Sequence, residues 1–562
     1  MKCSALVLTL LLGGCSLIYP FERLDDEADA SPFPLCDNGV LDPGEQCDGD
    51  DLQGQTCESL SYDGGELRCA WDCRYNLEAC VGDGACGNGI RDLNEDCEGD
   101  DLNYGTCEGT GFGSGVVSCS VDCRLDYSQC SDVLALFAEY QINTITAGNQ
   151  HTPRGDQGVI VWVDESGIPD NSGSSNIRYR DFGSETDFGQ IAHVDVSGNE
   201  VEPVVVASNG MAFFFVDSRP QSADPDGLGV FVTHCDDWEC PNASTVDLSF
   251  TTQLVSPPMS AGDQHQVRVS PVQGPFVVWR DTSAHPTIYA ARYPPFMITG
   301  EVIAVSTAVE GDRSEPTVAG MDVAQDDIRA LVAWTESASG MASAIYYRIG
   351  VMGDSPHLTG FLGDEDSLST HTGGDQSQPA AAGVGGRDYC WDVGSLFMVV
   401  WRDASGQGED PDQGGIRGRL VDVDGLALGA ELQINTTTAG DQRLPRVQAF
   451  YSQLGCRVLV VWEDHSGADP DPDGAAIRGR LFDIHGTPLE RNGSSDDFVI
   501  NQGTAGDQRH PWIVTNSWDT MIAHVLWEDW SETAPGAEGS EIMARPVCLL
   551  DAVDCPTLSI QF

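Results

Sequence analysis

Short apolar runs that end in an aromatic residue and an acid recur through most of the chain. Examples are residues 159–162, 276–279 and 458–462, and each of these runs follows a polar turn of the Gly-Asp-Gln type. A run that is apolar at every position fits a strand that is covered on both faces. The pattern therefore predicts strands packed between neighbouring sheets, and it predicts no long helix.

This unit occurs seven times between residues 137 and 549, with its parts always in the same order. The turns begin at Gly148, Gly198, Gly262, Gly311, Gly374, Gly440 and Gly506. The aromatic positions are Trp162, Phe215, Trp279, Trp334, Trp401, Trp462 and Trp527. The acids that follow them are Asp164, Asp217, Asp281, Glu336, Asp403, Asp464 and Asp529. A repeat of roughly 50 to 65 residues is typical of propellers and other repeat architectures.

Each unit has room for four strands, which in the sixth unit are residues 445–447, 458–462, 477–483 and 498–501. Four-stranded units in a radial array form a β-propeller, so we predict an all-β fold with a seven-bladed β-propeller over 137–562. The segment 137–143 resembles a fourth strand but precedes the first turn, and we expect it to complete the last blade. The tail 558–562 competes for that place. The first unit is short, which predicts a shortened innermost strand.

Alternating strand directions place the Gly-Asp-Gln turns and the post-aromatic acids on one rim. The candidate cation or ligand rim therefore comprises the seven acids named above with Asp469, Asp471 and Asp473. Ca²⁺ is the candidate cofactor, because hard cations take several oxygen ligands in flexible loops. The alternative is architectural: each acid bonds to its own turn, and each tryptophan fills the space between blades. A feature present in every unit favours the architectural alternative.

The chain is strongly acidic, with a formal net charge of -60, and Lys2 is its only lysine. Such a surface repels phosphate backbones, which excludes nucleic acid as a partner. Cations, neutral glycans and basic proteins remain as ligands. The charge also fits a solvated surface that keeps an exported protein soluble.

The N-terminus reads as a targeting segment. Lys2 supplies a positive charge, residues 5–12 form an apolar core too short to span a bilayer, and Gly13-Gly14-Cys15 follows. The order of small residues and cysteine resembles the lipobox of bacterial lipoproteins. That resemblance implies a signal peptide over 1–14, lipidation of Cys15, and display at the outer membrane or cell surface of a Gram-negative bacterium. An ordinary secretory signal is the alternative. Residues 15–35 are predicted to form an acidic tether.

Two cysteine modules follow, over 36–80 and 86–130, with identical spacing. Their cysteines are Cys36, Cys47, Cys57, Cys69, Cys73 and Cys80, then Cys86, Cys97, Cys107, Cys119, Cys123 and Cys130. Modules this short cannot bury enough apolar surface alone, so we expect disulfides to stabilise them, in a connectivity that the spacing leaves open. Zinc is the alternative, but neither module contains a histidine or a CxxC pair.

The spacing, the Cys86-Gly87-Asn88-Gly89 start and the acidic steps after Cys47 and Cys97 resemble the cysteine-rich repeat of myxobacterial surface proteins. The first module departs from that pattern with Asp37 after its first cysteine. The resemblance covers residues 36–130 and implies a surface-display module, without any activity.

Six further cysteines lie in the repeats. Cys235 with Cys240 and Cys548 with Cys555 are predicted to form local staples, and Cys390 with Cys456 a bridge between the fifth and sixth blades. We expect these bridges on the face opposite the acids. Setting aside Cys3 and Cys15, the remaining cysteines pair evenly.

No catalytic constellation is found in the sequence. It has no nucleophile elbow, phosphate loop or zinc-protease helix, and His151, His265, His371 and His510 are scattered singly. We therefore predict a lipid-anchored, non-catalytic binding or adhesion protein for a glycan or protein ligand, contacting the membrane through its lipid anchor only. An exported polysaccharide hydrolase or lyase is the first alternative, and a structural envelope scaffold is the second.

Overall fold

A computed structural model describes residues 41–548 with gaps, the longest of which are 82–96, 103–116, 182–199, 218–227, 236–252 and 385–394. The described residues form two compact units, one within residues 1–125 and one that contains the repeats. Within the described ranges, no helix is long and apolar enough to cross a bilayer.

The cysteine modules consist of short elements joined by disulfides. A 3₁₀ helix, Glu58–Leu60, precedes the following short strands: β1 Gly64–Gly65, β2 Arg68–Cys69, β3 Tyr75–Asn76, β4 Cys80–Val81, β5 Ser118–Cys119 and β6 Leu125–Asp126. Cys47 pairs with Cys69, and Cys97 pairs with Cys119 at the same separation of 22 residues. Cys57 and Cys123 are disulfide-bonded as well. The prediction of two disulfide-rich modules is confirmed.

The repeats form seven antiparallel sheets in chain order, so the predicted seven-bladed propeller is confirmed. Blade 1 contains β9 Gln150–Asp156, β10 Val159–Asp164 and β11 Asn176–Asp181. Blade 2 contains β12 Glu200–Val206, β13 Met211–Asp217, β14 Gly229–Cys235 and β15 Gln253–Leu254. Blade 3 contains β16 Gln264–Ser270, β17 Phe276–Asp281, β18 Thr287–Arg292 and β19 Ile303–Ala304. The first strand of each blade is its innermost.

Blades 4 to 6 have longer strands. Blade 4 contains β20 Asp312–Ala324, β21 Asp327–Ser337, β22 Ala344–Met352 and β23 Leu358–Ser367. Blade 5 contains β24 Gln376–Val384, β25 Leu396–Asp403, β26 Gly415–Asp422 and β27 Ala427–Gln433. Blade 6 contains β28 Gln442–Ser452, β29 Gly455–Asp464, β30 Ala476–Asp483 and β31 Phe498–Val499.

Blade 7 is completed by the N-terminal end of the repeat region. Its own strands are β32 Gln508–Thr515, β33 Ile522–Asp529 and β34 Glu541–Cys548, and the segments that pair with β34 are β7 Ala135–Leu136 and β8 Tyr140–Gln141. Ile142 is fully buried and donates its N–H to the carbonyl of Ile542 at 2.7 Å. The predicted completion of the last blade by the segment 137–143 is thus confirmed, and the tail 558–562 lies outside the described residues. The predicted shortening of β9 is wrong, because β9 has seven residues, as β12 and β16 do.

The core lies between neighbouring blades. All six repeat tryptophans are at most 2% exposed. Trp462, for example, packs with Met398 and Val400 of the preceding blade, and Trp334 packs with Phe276 and Val278. Burial of an aromatic side chain of this size gives a large hydrophobic contribution, so one aromatic residue per unit, a tryptophan in six units and Phe215 in the second, joins each sheet to its neighbour.

A left-handed residue interrupts every innermost strand at the same position. Thr152, Glu202, Gln266, Glu315, Gln378, Leu444 and His510 all have φ between 51° and 57°. The ladder to the second strand shifts register beside each of them, which is the signature of a β-bulge. In six units a proline follows, and proline cannot donate to a ladder.

Hydrogen bonds link these bulges at six of the seven junctions between blades, and we call this series of bonds the bulge ring. The bulge N–H of one blade donates to a side chain of the preceding blade: Glu315 to Gln266 at 2.7 Å, Gln378 to Glu315 at 2.7 Å, Leu444 to Gln378 at 2.8 Å, and Gln266 to Glu202. Leu444 and His510 cannot accept in the same way. There Glu463 and Glu528, each directly after a tryptophan, accept from His510 at 3.1 Å and from Thr152 at 2.7 Å.

Candidate functional site

The post-aromatic acids lie beside the Gly-Asp-Gln turns, as predicted. Cα register pairs Gln150 with Asp164, and it pairs Gln442 with Asp464 in the same way. Gln150 Nε2 donates to Asp164 at 2.7 Å, and Gln442 Nε2 donates to Asp464 at 2.9 Å. In blades 1 and 5 the same glutamine accepts the indole N–H, from Trp162 at 3.0 Å and from Trp401 at 2.8 Å. Glutamine, tryptophan and acid therefore form one hydrogen-bonded group.

The acids are turned into the blades. Exposure is 8% or less for Asp164, Asp281, Asp403, Asp464 and Asp529, whereas Glu336 is half-buried. Asp217 ends β13, opposite Glu200. Asp281, Asp403 and Asp529 each also accept the N–H two residues later, at 2.7 to 2.8 Å. These bonds are Asx turns and serve the architecture. A ligand role for these acids stays a prediction.

In the fourth unit two residues of this hydrogen-bonded group are replaced together, and the contact between turn, tryptophan and acid is kept. Arg313 stands where the other units have glutamine or glutamate, and Glu336 replaces aspartate. Arg313 lies 3.5 Å from Glu336, which accepts the Trp334 indole N–H directly at 3.1 Å. The longer acid thus takes over the acceptor role of the missing glutamine.

Of the three loop acids predicted for the rim, Asp471 is 1% exposed and accepts from Asn501 at 2.6 Å. Asp469 and Asp473 lie outside the described residues. Asn501 also donates to Gln508 of the next blade at 3.1 Å, and Asn435 makes the same contacts with Asp410 and Gln442. The asparagine after each of these outer strands therefore connects two blades, a role that the sequence analysis did not assign.

The innermost strands of all seven blades line a cavity of about 260 Å³, which we call the central cavity. Its polar lining includes Arg268, Arg446 and Trp512 near the bulge ring and Asp156 toward the opposite end of β9. Arg154 belongs with the first three, because it occupies the same position in its unit, two residues after the bulge residue. Blades 3 and 6 thus each contribute one guanidinium to the lining, and the Arg154 guanidinium of blade 1 packs on Trp512 beside them.

The three arginines share one conformation. Each Nη1 donates to the carbonyl of the residue before it, at 2.7 to 2.8 Å. The guanidinium groups of Arg154 and Arg446 lie 4.6 and 5.2 Å from the ring centre of Trp512, within cation–π range. Arg154 is only 6% exposed, and the Nε atom of Arg446 is buried without a hydrogen bond in the described structure. None of the three has an ion pair within 4.0 Å to a carboxylate of the described residues.

Burial and mutual repulsion make these cations unfavourable. Burial in the cavity, with the charge of Arg268 second, lowers the pKa of Arg446 to about 9. Burial also lowers the pKa of Arg268, and it lowers that of Arg154 far more strongly, where the charges of Arg268 and Arg446 add to it. Glu202, Glu315 and Glu528 oppose these shifts from a distance. Groups whose pKa values are strongly shifted by burial and by neighbouring charges occur often at functional sites and also in structural networks.

Two carboxylates that favour the charged form of these arginines are committed to the bulge ring. Glu463 and Glu528 are each 2% exposed. Burial alone would raise the pKa of Glu463, but the hydrogen bonds from His465 and from the His510 N–H outweigh it and lower that pKa. Glu528 behaves in the same way through His510 and Thr152. Both side chains are therefore held as anions and serve as fixed acceptors.

Asp156 is the cavity carboxyl with the opposite tendency. Burial raises its pKa to about 6, although the N–H groups of Ala207 and Gln157 counteract the shift. Its Oδ2 accepts from Ala207 at 3.0 Å. A carboxyl group that holds its proton near neutral pH can act as an acid.

The predicted disulfides of the propeller lie at the edge of the described structure. Cys456 is disulfide-bonded, whereas Cys390, Cys240 and Cys555 lie outside the described residues. Cys235 and Cys548 end β14 and β34. The pairings within the repeats stay predictions.

No protein-family model and no curated protein sequence matches this chain. Among solved structures it is similar to a protein of unknown function from Dyadobacter fermentans, at 12% identity and TM-score 0.36, covering 64% of this chain and 96% of the other. It is also similar to an α-L-arabinofuranosidase from Fusarium graminearum, at 11% and 0.38, covering 74% and 98%. A third is the β-propeller domain of a protease from Pyrococcus furiosus, at 9% and 0.39, covering 72% and 98%. Similarity at these values assigns no activity to this chain.

Proposed function

We propose that this chain is an exported, lipid-anchored surface protein whose propeller binds an anionic ligand in the central cavity. The observation that carries the proposal is the convergence of Arg154, Arg268 and Arg446 without an ion pair to a described carboxylate. Guanidinium groups recognise carboxylate and sulfate through paired N–H donors. A cavity of about 260 Å³ suits one acidic sugar residue or a group of similar size.

The strongly negative charge of the whole chain makes this cluster distinctive. A net charge of -60 repels anions at long range, so the surface does not attract them nonspecifically. Only a ligand that gains several guanidinium contacts inside the cavity overcomes that repulsion. Specificity for a small acidic group on an otherwise neutral glycan follows from this balance.

Calorimetric titration of the full chain tests the proposal. The probes are galactose oligosaccharides that end in one galacturonate residue, neutral galactose oligosaccharides of the same length, and inorganic sulfate. We expect the acidic oligosaccharides to bind and the neutral ones not to bind. Arg268→Ala should weaken binding at least about tenfold, the loss expected for one charge-assisted contact of 1.5 kcal/mol or more.

Arg329→Gln is the matched control, because Arg329 pairs with Asp327 in the β20–β21 hairpin of blade 4, outside the central cavity lining. Its titration should equal that of the parent chain. Equal affinity for acidic and neutral oligosaccharides, or unchanged binding after Arg268→Ala, contradicts the assignment of the ligand to the cavity.

A polysaccharide hydrolase is the second candidate, and Asp156 is the observation that favours it. Its raised pKa fits a general acid, and Glu315 lines the same cavity as a second carboxylate. Glu315 is already an acceptor for Gln378 and Thr335, which favours binding over catalysis. Turnover of an acidic polysaccharide that disappears with Asp156→Asn would establish the enzyme; binding without turnover supports the binding protein.

The anchor is tested separately. Cells expressing the full chain should incorporate labelled palmitate at Cys15, and Cys15→Ser should abolish the label and release the protein from the membrane fraction. Retention of the label in that variant contradicts the lipoprotein assignment.

A further inference from the structure

A second polar cluster lies between blades 4 and 5, away from the central cavity. His371 follows β23, Asp403 ends β25, and Glu431 lies in β27. The Nδ1 atom of His371 is 2.8 Å from Asp403 Oδ2 and 3.4 Å from Glu431 Oε2. One ligand atom from each of the three residues lies within 4.8 Å of the others.

Both carboxylates are buried, and one oxygen is unsatisfied. The side chains of Asp403 and Glu431 are 3% and 4% exposed. Glu431 Oε1 accepts from the Thr370 hydroxyl at 2.7 Å, but Oε2 is buried and has no hydrogen bond in the described structure. A buried carboxylate oxygen without a partner costs free energy unless another group compensates it.

The equivalent position in blade 6 is filled differently. There Arg478 bridges Asp464 at 2.7 Å and Asp497 at 2.8 Å, and Thr437 occupies the place of His371. In blade 5, Arg417 lies 3.5 Å from Asp403 and donates instead to the carbonyl of Gln407 at 2.7 Å. Among the described contacts of Glu431, no arginine bridges it to Asp403 as Arg478 bridges the two carboxylates of blade 6. His371 lies beside both carboxylates instead.

We propose that His371, Asp403 and Glu431 bind one Zn²⁺ ion. An imidazole nitrogen with two carboxylate oxygens is a donor set that zinc accepts, whereas Ca²⁺ prefers oxygen ligands alone. The ion takes the role that Arg478 has in blade 6, and it compensates Glu431 Oε2. His371 is 22% exposed, so a water molecule can reach a fourth position.

Zinc titration of the chelator-treated full chain tests this site. Millimolar Mg²⁺ is present to occupy the acidic surface, and Zn²⁺ is titrated against a competing chromophoric chelator. We expect one tight equivalent per chain. His371→Thr, which introduces the residue of the sixth unit, should weaken that equivalent at least about tenfold.

His485→Thr is the control, because His485 is exposed in the turn after β30 and should leave the tight equivalent unchanged. Glu431→Gln, which keeps the size of the side chain, provides a second variant with the same expected loss if His371→Thr fails to fold. Co²⁺ bound to the parent chain should give visible absorption bands that both site variants lack. No tight equivalent in the parent chain, or one that survives both variants, overturns the proposal.

Discussion

Arg446→Met should make the unliganded protein more stable while removing a cation from the central cavity. The pKa of Arg446 falls from its ordinary value above 12 to about 9 in the folded chain. A fall of about three in pKa corresponds to about 4 kcal/mol of destabilisation. The contact with Trp512 at 5.2 Å offsets about 1 to 2 kcal/mol. Methionine keeps most of the packing, so we expect a net gain of about 2 kcal/mol.

The assay is chemical denaturation at pH 7, followed by tryptophan fluorescence. Arg480→Met is the control, because Arg480 donates to the carbonyls of Ser495 at 2.7 Å and Ile434 at 2.8 Å. Loss of these bonds should destabilise the protein. The pH dependence has a definite sign. Because the pKa of Arg446 is lower in the folded than in the unfolded chain, the charged arginine destabilises the folded parent chain fully below pH 9. Above pH 9 the folded chain loses the proton and this destabilisation decreases, so the difference in free energy of unfolding between the parent and Arg446→Met should become smaller there. If Arg446→Met is no more stable than the parent at pH 7, the conclusion that the buried charge of Arg446 destabilises the folded chain is wrong.

Three further predictions concern buried residues of the propeller. Ile142→Ala should cost about 2 to 5 kcal/mol, because Ile142 is fully buried in the segment that closes blade 7; an unchanged melting temperature contradicts its role in closure. Burial lowers the pKa of His524 to about 4, so the folded protein should lose up to about 3 kcal/mol as the pH falls from 6.5 to 4, when the unfolded chain takes up the proton. His524→Gln should flatten that slope in melts across this pH range, and an equally steep slope would exclude His524 as its origin. Asn435→Ala should cost about 2 to 4 kcal/mol in denaturation experiments, because it removes the acceptor of the buried Ile416 N–H and one donor to Asp410, whereas exposed Asp424→Ala should change little.

The fold was predictable because its signals are local and repeated. Each unit carries its own turn, buried strand and aromatic residue, so seven copies specify seven blades without long-range information. The closure by Tyr140 and Ile142 was predictable for the same reason, since that segment has the pattern of residues 432–435. Local signals also gave the common rim of turns and acids. They could not show that Asp164 and Asp403 are buried and bonded to glutamine, because burial depends on the neighbouring blade.

The central cavity was not predictable from the pattern. Arg154, Arg268 and Arg446 are separated by more than 100 residues each and meet only when the ring closes. The bulge before each of them adds one residue to the strand and so breaks the regular alternation of side-chain faces. The face on which the arginine lies therefore cannot be counted from the turn. An alignment of the seven units on their turns would have placed all three in one column. In the sequence His371 is one of several scattered histidines and Glu431 matches no motif, and no repetition links the two, because a histidine stands three residues before the turn glycine only in the fifth unit.

The bulge ring gives the propeller a polarity around its circumference. At six of the seven junctions a blade offers an acceptor to the bulge N–H of its successor, so these blades are joined head to tail; among the described contacts, no such bond joins Glu202 to blade 1. When a whole blade is removed or duplicated, a new junction forms between two blades. The bulge N–H at that junction finds an acceptor only if the incoming unit carries a glutamine or glutamate at the bulge, or a Trp-Glu pair such as Trp462-Glu463. The number of blades is thus open to change by unit-sized insertion, whereas the order of donors and acceptors within a unit is fixed.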